Sequence, residues 1–317
     1  MLSQDILPTT DTTAGAPYDV TGRICVTAPY FALRDLRQIA PGEVTATVPV
    51  ESGRGRQAAV MGIGEVGRHL AILGLCAASS VNPRPGRHAY LARTAEVRWV
   101  AAPTLAPPVG ALTGRAHAQT TKDRRATAHT LLVDSGSGQV LAHMRIGYDV
   151  LPHRLLARLL EDEGTAAAAT PTSADGASPY ARPLPMRDLA YDERTGKARG
   201  SLLITPDLCP GHFDGHPVLP VAIAATAMSN LVDHAIAQRH PHAHWLAGPL
   251  TLSADRFACA GQTVTFTARP EGTMGYHCTA EIDGLPIAAV TVQLVLVDAL
   301  LLPGPEAGHG TPHQRER

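Results

Sequence analysis

The residues best suited to chemistry lie in a short turn that is rich in glycine and proline. This turn, Pro210–Pro220, reads PGHFDGHPVLP and runs directly into an apolar segment that extends from Val221 to Val232. His212 therefore stands just ahead of a predicted helix that has almost no polar face. Because an ordinary imidazole exchanges its proton near pH 6.5, a histidine in such a place is suited to act as a general base. The turn predicts an active site around His212.

The same turn resembles the active-site segment of the β-hydroxyacyl-acyl-carrier-protein dehydratases, whose pattern is G-H-F-x-G-x-P-V-M-P-G followed by the helix of a hot-dog fold. The matching positions are His212, Phe213, Gly215, Pro217, Val218 and Pro220, and Leu219 stands in place of methionine. The resemblance is direct over residues 195–298. It implies a hydro-lyase that dehydrates a β-hydroxyacyl thioester in fatty-acid or polyketide biosynthesis.

The resemblance also implies a role for each residue of the motif. His212 would remove the α-proton of the substrate, and backbone N–H groups at the start of the helix, around Pro220 and Val221, would polarise the thioester carbonyl. Gly215 would permit the tight turn, and Phe213 would contact the substrate. The acyl chain would be carried on the phosphopantetheine of an acyl carrier protein or coenzyme A, with no further cofactor and no metal.

Two positions depart from the family pattern. Val221 replaces a glycine, which crowds the approach of a ligand. Thr226 stands fourteen residues beyond His212, where the family has an aspartate or glutamate, and a hydroxyl cannot replace an acid that protonates a leaving group. Thr226 is then expected to contact substrate or water, or to bond to the helix. Dehydration is the first expectation, and isomerisation, cyclisation, thioester hydrolysis and a non-catalytic acyl-binding or scaffold role remain alternatives.

The chain repeats one plan twice at an offset of 158 residues. Each half reads as a strand, a long apolar helix of small residues and several further strands, and Arg98-Trp99 recurs as Arg256-Phe257. An apolar helix must be covered by a sheet, so the pattern predicts an α+β double hot dog. The predicted segments are flexible tails at 1–18 and 301–317, hot-dog units at 19–160 and 186–300, and a linker at 161–185.

The duplication suggests where a catalytic partner of His212 could lie. In a hot-dog pair, the resemblance implies that the histidine of one unit works with the helix acid of the other. Subtracting 158 from 226 gives Arg68, which is next to His69 and one turn after Glu65. Arg68 is expected to pair with an acid or to cover the helix end rather than to act in the chemistry. His69 is the preferred partner because an imidazolium can donate a proton near neutral pH, and Glu65 is the second choice; a histidine bonded within the core is an equal alternative for His69.

Composition restricts the partners and the compartment. A formal net charge of -1 gives no electrostatic footprint for nucleic acids. The five cysteines are widely spaced without a C-x-x-C pair, which favours free thiols in a reducing compartment. No basic leader or uninterrupted apolar run of membrane-spanning length is present, so the cytoplasm is expected and a membrane partner is not. The histidines of Arg239–His244 are expected to form a solvated loop. A homodimer remains an open expectation.

Overall fold

The structure is a computed structural model that describes residues 15–51, 56–100, 111–120, 124–162, 178–180, 182–213 and 215–298. Most of the predicted N-terminal tail, most of the linker at 161–185 and the whole of the predicted tail at 301–317 lie outside the described residues. Within the described part, no helix is long and apolar enough to cross a membrane.

The described residues form thirteen β-strands and three α-helices. All thirteen strands belong to one antiparallel sheet. The helices are α1 (Ile63–Val81), α2 (His153–Asp162) and α3 (Val221–Arg239), and a short 3₁₀ helix covers Pro206–Leu208. The strands are β1 (Ala16–Pro17), β2 (Arg34–Ala40), β3 (Glu43–Val48), β4 (His88–Trp99), β5 (Leu112–Thr120), β6 (Arg125–Asp134), β7 (Val140–Pro152), β8 (Arg187–Asp192), β9 (Lys197–Leu203), β10 (Ala243–Ala254), β11 (Thr263–Glu271), β12 (Gly275–Ile282) and β13 (Leu285–Asp298).

The strand order is the same in both halves of the chain. Across the sheet it runs β1-β2-β3-β5-β6-β7-β4-β10-β13-β12-β11-β9-β8, so the series β3-β5-β6-β7-β4 recurs as β9-β11-β12-β13-β10. The halves join where β4 pairs with β10, with Val97 opposite Leu250 and Thr94 opposite Ser253. This pairing covers two strands that would otherwise be edges. The α+β class is confirmed, and the repeated order supports a double hot dog; the unit boundaries stay a prediction.

The two long helices pack on the sheet and against each other. α1 lies mainly on β3, β5 and β6, and α3 on β9 and β11. Their contact is close at Gly64, where a Cβ atom would lie 2.0 Å from Thr226 Oγ1 and 2.6 Å from the Ala222 carbonyl oxygen. Because real Cβ atoms do not approach so closely, a glycine is required at this point of the helix contact.

The sequence analysis missed three elements that flank the repeated core. α2 is short and apolar on one side, where Leu156 and Leu160 are buried four residues apart beside Phe213. β2 and β8 carry few alternating apolar residues because they lie near the outer ends of the sheet. Both contain the tripeptide Arg-Asp-Leu, and its aspartates, Asp35 and Asp188, share a positive φ of about 50°. These strands therefore belong to the duplication as well.

Candidate active site

The turn that carries His212 is held on both sides by backbone hydrogen bonds. Leu219 N–H donates to the Ala258 carbonyl at 2.8 Å, next to an antiparallel bridge between Val218 and Cys259. On the other side, Thr27 N–H donates to the Gly211 carbonyl at 2.8 Å. Gly211 has a φ of 73°, and a Cβ there would meet the Thr27 carbonyl oxygen at 2.3 Å, so only glycine fits. A segment of the first half thus fixes the motif of the second.

His212 lines a cavity of about 150 Å³ between α1, α3 and the strands at the junction of the two halves. We call this the His212 cavity. Its walls are mostly apolar, with Leu250, Leu252 and Val97 from the junction strands. At one end it is lined by the exposed residues Asp255 and Arg256. The cavity can therefore hold an apolar chain with its polar end near the surface.

The surroundings of His212 keep its imidazole neutral and fix its tautomer. Nδ1 lies 3.0 Å from the Val218 carbonyl oxygen, and because a carbonyl can only accept, Nδ1 carries the proton. Nε2 is then the basic nitrogen of the ring. Burial lowers the pKa of His212 to about 4, and the bond to Val218 opposes that shift. The ring also contacts Phe213, with centroids 4.1 Å apart, and Phe213 has a strained φ of 135°.

The N-terminus of α3 faces the same cavity. Val221 and Ala222 supply the first two N–H groups of the helix, and both residues line the cavity. Ile223 and Ala224 already donate to the Pro220 carbonyl, whereas no hydrogen bond from Val221 N or Ala222 N is found among the residues that the structure describes. Free N–H groups at the positive end of a helix stabilise an oxygen that gains negative charge. The predicted polarising role of this helix start has a suitable geometry.

Arg68 is the polar side chain that the facing helix brings to the His212 cavity. It is fully buried, pairs with the carboxylate of Glu51 and lies over the rings of Tyr180 and Tyr30, at 4.5 and 5.7 Å from their centroids. Burial lowers the pKa of Arg68, and the nearby Tyr180 and Tyr30 hydroxyls oppose that shift. The expectation that Arg68 pairs with an acid is confirmed. It occupies the helix position at which the resemblance would place a carboxylic acid.

Neither His69 nor Glu65 lines the His212 cavity. His69 Nε2 accepts from Arg68 Nη2 at 3.0 Å, and burial lowers its pKa against the opposing contact with Glu65, so the ring is a neutral acceptor. Glu65 accepts from the backbone N–H of Glu51 at 2.6 Å. The two side chains support Arg68 and the segment of Glu51, and the structure does not bring them to His212.

Glu51, Glu65 and His69 are also the described residues that could hold a metal. Their ligand atoms lie within 4.8 Å of one another, and one histidine with two carboxylates suits several divalent ions. However, the guanidinium of Arg68 contacts both Glu51 and His69. This side chain already supplies the positive charge of the cluster, so the donor set does not fit a metal ion.

Thr226 lies on the other side of α3 from His212. Its hydroxyl donates to the Ala222 carbonyl at 2.9 Å and packs against Gly64, as expected for a threonine that bonds back one turn. It lines a second cavity of about 460 Å³ together with Ser229 and Asp233. We call this the Thr226 cavity. The predicted contact of Thr226 with substrate at His212 is not supported by this position.

Of the other predicted binding residues, Phe213 and Val221 line the His212 cavity, and Pro220 precedes the first residue of α3. Gly215 has a φ of 77°, which fits its predicted role in the turn. The sequence analysis missed Tyr30, a buried residue whose ring meets that of His212 edge to face at 5.0 Å. Its only signal would have been an isolated tyrosine in an irregular segment.

No protein-family model matches the chain, and no curated protein matches its sequence. Solved structures do match. A 12:0-ACP thioesterase from Umbellularia californica is 13% identical, with 80% of this chain and 97% of that chain covered and a TM-score of 0.51. An acyl-ACP thioesterase from Bacteroides thetaiotaomicron is 11% identical, covers 80% and 97%, and has a TM-score of 0.50. A tesB protein from Mycobacterium avium subspecies paratuberculosis is 10% identical, covers 83% and 96%, and has a TM-score of 0.52.

These likenesses show the fold and correct one prediction. They support the hot-dog fold, but not membership of the dehydratase family that the motif resembles. The prediction of a hydro-lyase is wrong: two of the three structures above are named as thioesterases, and none of the three is named as a lyase. The site gives the physical reason, since Arg68 stands where dehydration requires an acid, and a guanidinium does not protonate a departing hydroxyl.

Proposed function

We propose that this chain is a double hot-dog thioesterase that hydrolyses an acyl thioester in the His212 cavity. The observation that carries the proposal is the neutral imidazole of His212, held at Nδ1 and basic at Nε2, next to two free N–H groups of α3. A base and a donor pair for a developing oxyanion are the parts that thioester hydrolysis requires. The thioesterases with the same fold agree with this assignment.

The reaction uses one water molecule. Nε2 of His212 removes a proton from the water as its oxygen attacks the thioester carbon, and the carbonyl π electrons move to the carbonyl oxygen. The N–H groups of Val221 and Ala222 bind this oxyanion. When the intermediate collapses, the C–S bond breaks and the sulfur takes the proton from the His212 imidazolium. The products are a free carboxylic acid and a thiol.

The lining of the cavity also suggests an orientation for the substrate. The acyl chain lies along the apolar wall of β4 and β10, and the pantetheine arm leaves at the end lined by Arg93 and Arg256. Both arginines reach solvent, where they meet the negative charge of a phosphopantetheine on an acyl carrier protein or coenzyme A. The substrate class is therefore an acyl thioester of either carrier.

Thiol release tests the proposal. The purified chain is incubated with saturated acyl-CoA thioesters of increasing chain length, and free thiol is followed with a chromogenic thiol reagent. We expect release above the spontaneous rate, and a fall in kcat/KM of about 10²–10⁴-fold in His212→Gln, which keeps a polar side chain but removes the base. His277→Gln, on the remote strand β12, is the matched control. A chain that binds acyl thioesters but releases no thiol would be a binding protein and not a thioesterase.

A further inference from the structure

The guanidinium of Arg68 carries donors that no described residue satisfies. Nη2 is used by Glu51 and His69, but Nε and Nη1 are buried and have no hydrogen-bond partner within the described ranges. A buried donor without a partner costs about 1–3 kcal/mol. Because Arg68 also lines the His212 cavity, a bound substrate can recover that cost by offering an acceptor.

The charge around Arg68 selects the kind of acceptor. The guanidinium is already paired with the carboxylate of Glu51, His69 accepts a hydrogen bond from it through Nε2, and Glu65 lies next to His69, so the cluster has no excess positive charge for a substrate anion. A carboxylate moved into the apolar cavity would remain uncompensated. A hydroxyl would bring a proton that the donor-only guanidinium cannot accept. An oxo group is uncharged and only accepts, and it fits both conditions.

The position of Arg68 places this oxo group near the thioester. The Tyr30 ring contacts the ring of His212 on one side, at 5.0 Å, and the guanidinium of Arg68 on another, at 5.7 Å. The centroid of the His212 ring and the guanidinium carbon of Arg68 are therefore at most about 11 Å apart. A water molecule on His212, the thioester carbon and an oxo group two bonds further along the acyl chain can span this distance. We propose, on the basis of the thioesterase function above, that the site selects 3-oxoacyl thioesters and that Arg68 binds the 3-oxo oxygen.

A matched set of substrates tests this selection in the wild-type chain. Thioesters of coenzyme A with the same chain length are compared, one saturated, one 3-oxo, one 3-hydroxy and one with a terminal carboxylate. We expect kcat/KM for the 3-oxo thioester to exceed that for the saturated thioester by about tenfold or more. Equal values, or a preference for the hydroxyl or the carboxylate, would overturn the selection while leaving the hydrolase intact.

A double variant tests the role of Arg68. Arg68→Met alone would leave Glu51 buried without its partner, so Arg68→Met is combined with Glu51→Gln, which keeps the volumes similar. We expect this variant to lose the preference for the 3-oxo thioester, with its kcat/KM falling about tenfold more than that of the saturated thioester. An unchanged preference in a folded double variant would remove Arg68 from the recognition.

Binding of pantetheine amides separates this inference from the proposed hydrolysis and does not depend on any variant folding. The amides cannot be hydrolysed readily, and their dissociation constants are measured on the wild-type chain by calorimetry. Tighter binding of the 3-oxoacyl amide than of the saturated amide, without any thioester hydrolysis, would support the recognition and reject the enzyme. Equal binding of both amides would reject the recognition, whatever the hydrolysis assay shows.

Discussion

The two cavities beside the helix contact occupy corresponding places in the duplicated fold, but the helix starts that line them differ in their hydrogen bonds. The His212 cavity has the uncapped start of α3, whereas the Thr226 cavity has the start of α1, where Ile63 N–H donates to the Gln57 side chain at 3.1 Å. The position equivalent to His212 in the first half is Arg54, which lies outside the described residues. Residues from the C-terminal part of the predicted linker, including Tyr180, line the Thr226 cavity, and Tyr180 OH donates to the Gly64 carbonyl at 3.2 Å.

This difference shows how a duplicated fold can keep one site and lose the other. The helix start that retains its free N–H groups is the one that faces a histidine. At the start of α1, the first N–H, that of Ile63, is already bonded to the Gln57 side chain, so this donor is not available to an oxyanion. A contact between small residues, Gly64 against Ala222 and Thr226, holds both cavities in place. We expect catalysis at one cavity and structural support at the other.

Filling each cavity with the same bulky side chain gives the largest expected difference between them. Ala225→Phe places a ring in the His212 cavity, and we expect kcat/KM for a long acyl thioester to fall by about 100-fold because the chain is displaced. Ser229→Phe, one helical turn later, points a ring into the Thr226 cavity and should change kcat/KM by less than about twofold. Equal losses in the two variants would contradict the division of roles. Steady-state kinetics on folded variants provides the measurement.

The second largest effect is expected in the dependence of kcat/KM on pH, on the acid side of neutrality. A base with an ordinary histidine pKa of about 6.5 would lose about tenfold in activity between neutral pH and pH 5.5. His212 must be neutral to act, and its pKa is lowered to about 4 by burial. We therefore expect kcat/KM to remain nearly constant down to pH 5.5 and to fall only near pH 4. An acid limb near pH 6.5 would identify a different base.

The helix contact that separates the cavities can be tested by stability. Gly64→Ala puts a methyl group against Thr226 Oγ1 and the Ala222 carbonyl, and we expect the free energy of unfolding to fall by about 1–3 kcal/mol. Gly67→Ala meets no atom within 4 Å and should stabilise the helix by up to about 1 kcal/mol. Denaturant unfolding measures both changes. A neutral Gly64→Ala would show that the two helices are not in close contact.

The smallest expected effect concerns the tyrosine that supports the Thr226 cavity. Tyr180→Phe removes the hydrogen bond to the Gly64 carbonyl but keeps the ring over Arg68. We expect a loss of about 0.5–1.5 kcal/mol in the free energy of unfolding, with kcat/KM for a saturated thioester changed by less than about twofold. A large loss of kcat/KM without a loss of stability would assign Tyr180 to the chemistry instead.

Much of the fold could be predicted from the sequence, because its signals are long and repeated. α1 and α3 are nineteen-residue segments of small apolar residues, and the sequence pattern predicts both to within a few residues of their bounds. The common strand order follows from the same repeat. α2, β2 and β8 were missed because a single buried face or an outer strand leaves too few apolar residues for a periodic signal.

The site could be predicted only in part. The motif indicates His212 and the offset of 158 residues indicates Arg68, but proton-transfer chemistry alone favours its neighbour His69. Successive helical residues differ in direction by about 100°, so the residue next to Arg68 cannot share its face. Tyr30 and Glu51 come from irregular segments that only the folded chain brings to the helices. No local pattern in the sequence indicates such contacts.

Hydrolysis in ¹⁸O-labelled water tests the central claim most directly. Wild-type chain and His212→Gln are incubated with one acyl thioester in labelled water, and the acid product is analysed by mass spectrometry. We predict that the wild-type chain releases an acid containing one ¹⁸O atom together with one equivalent of thiol, and that His212→Gln releases neither above the spontaneous rate. An unlabelled product, an intact thioester, or equal release by the variant would contradict hydrolysis at His212.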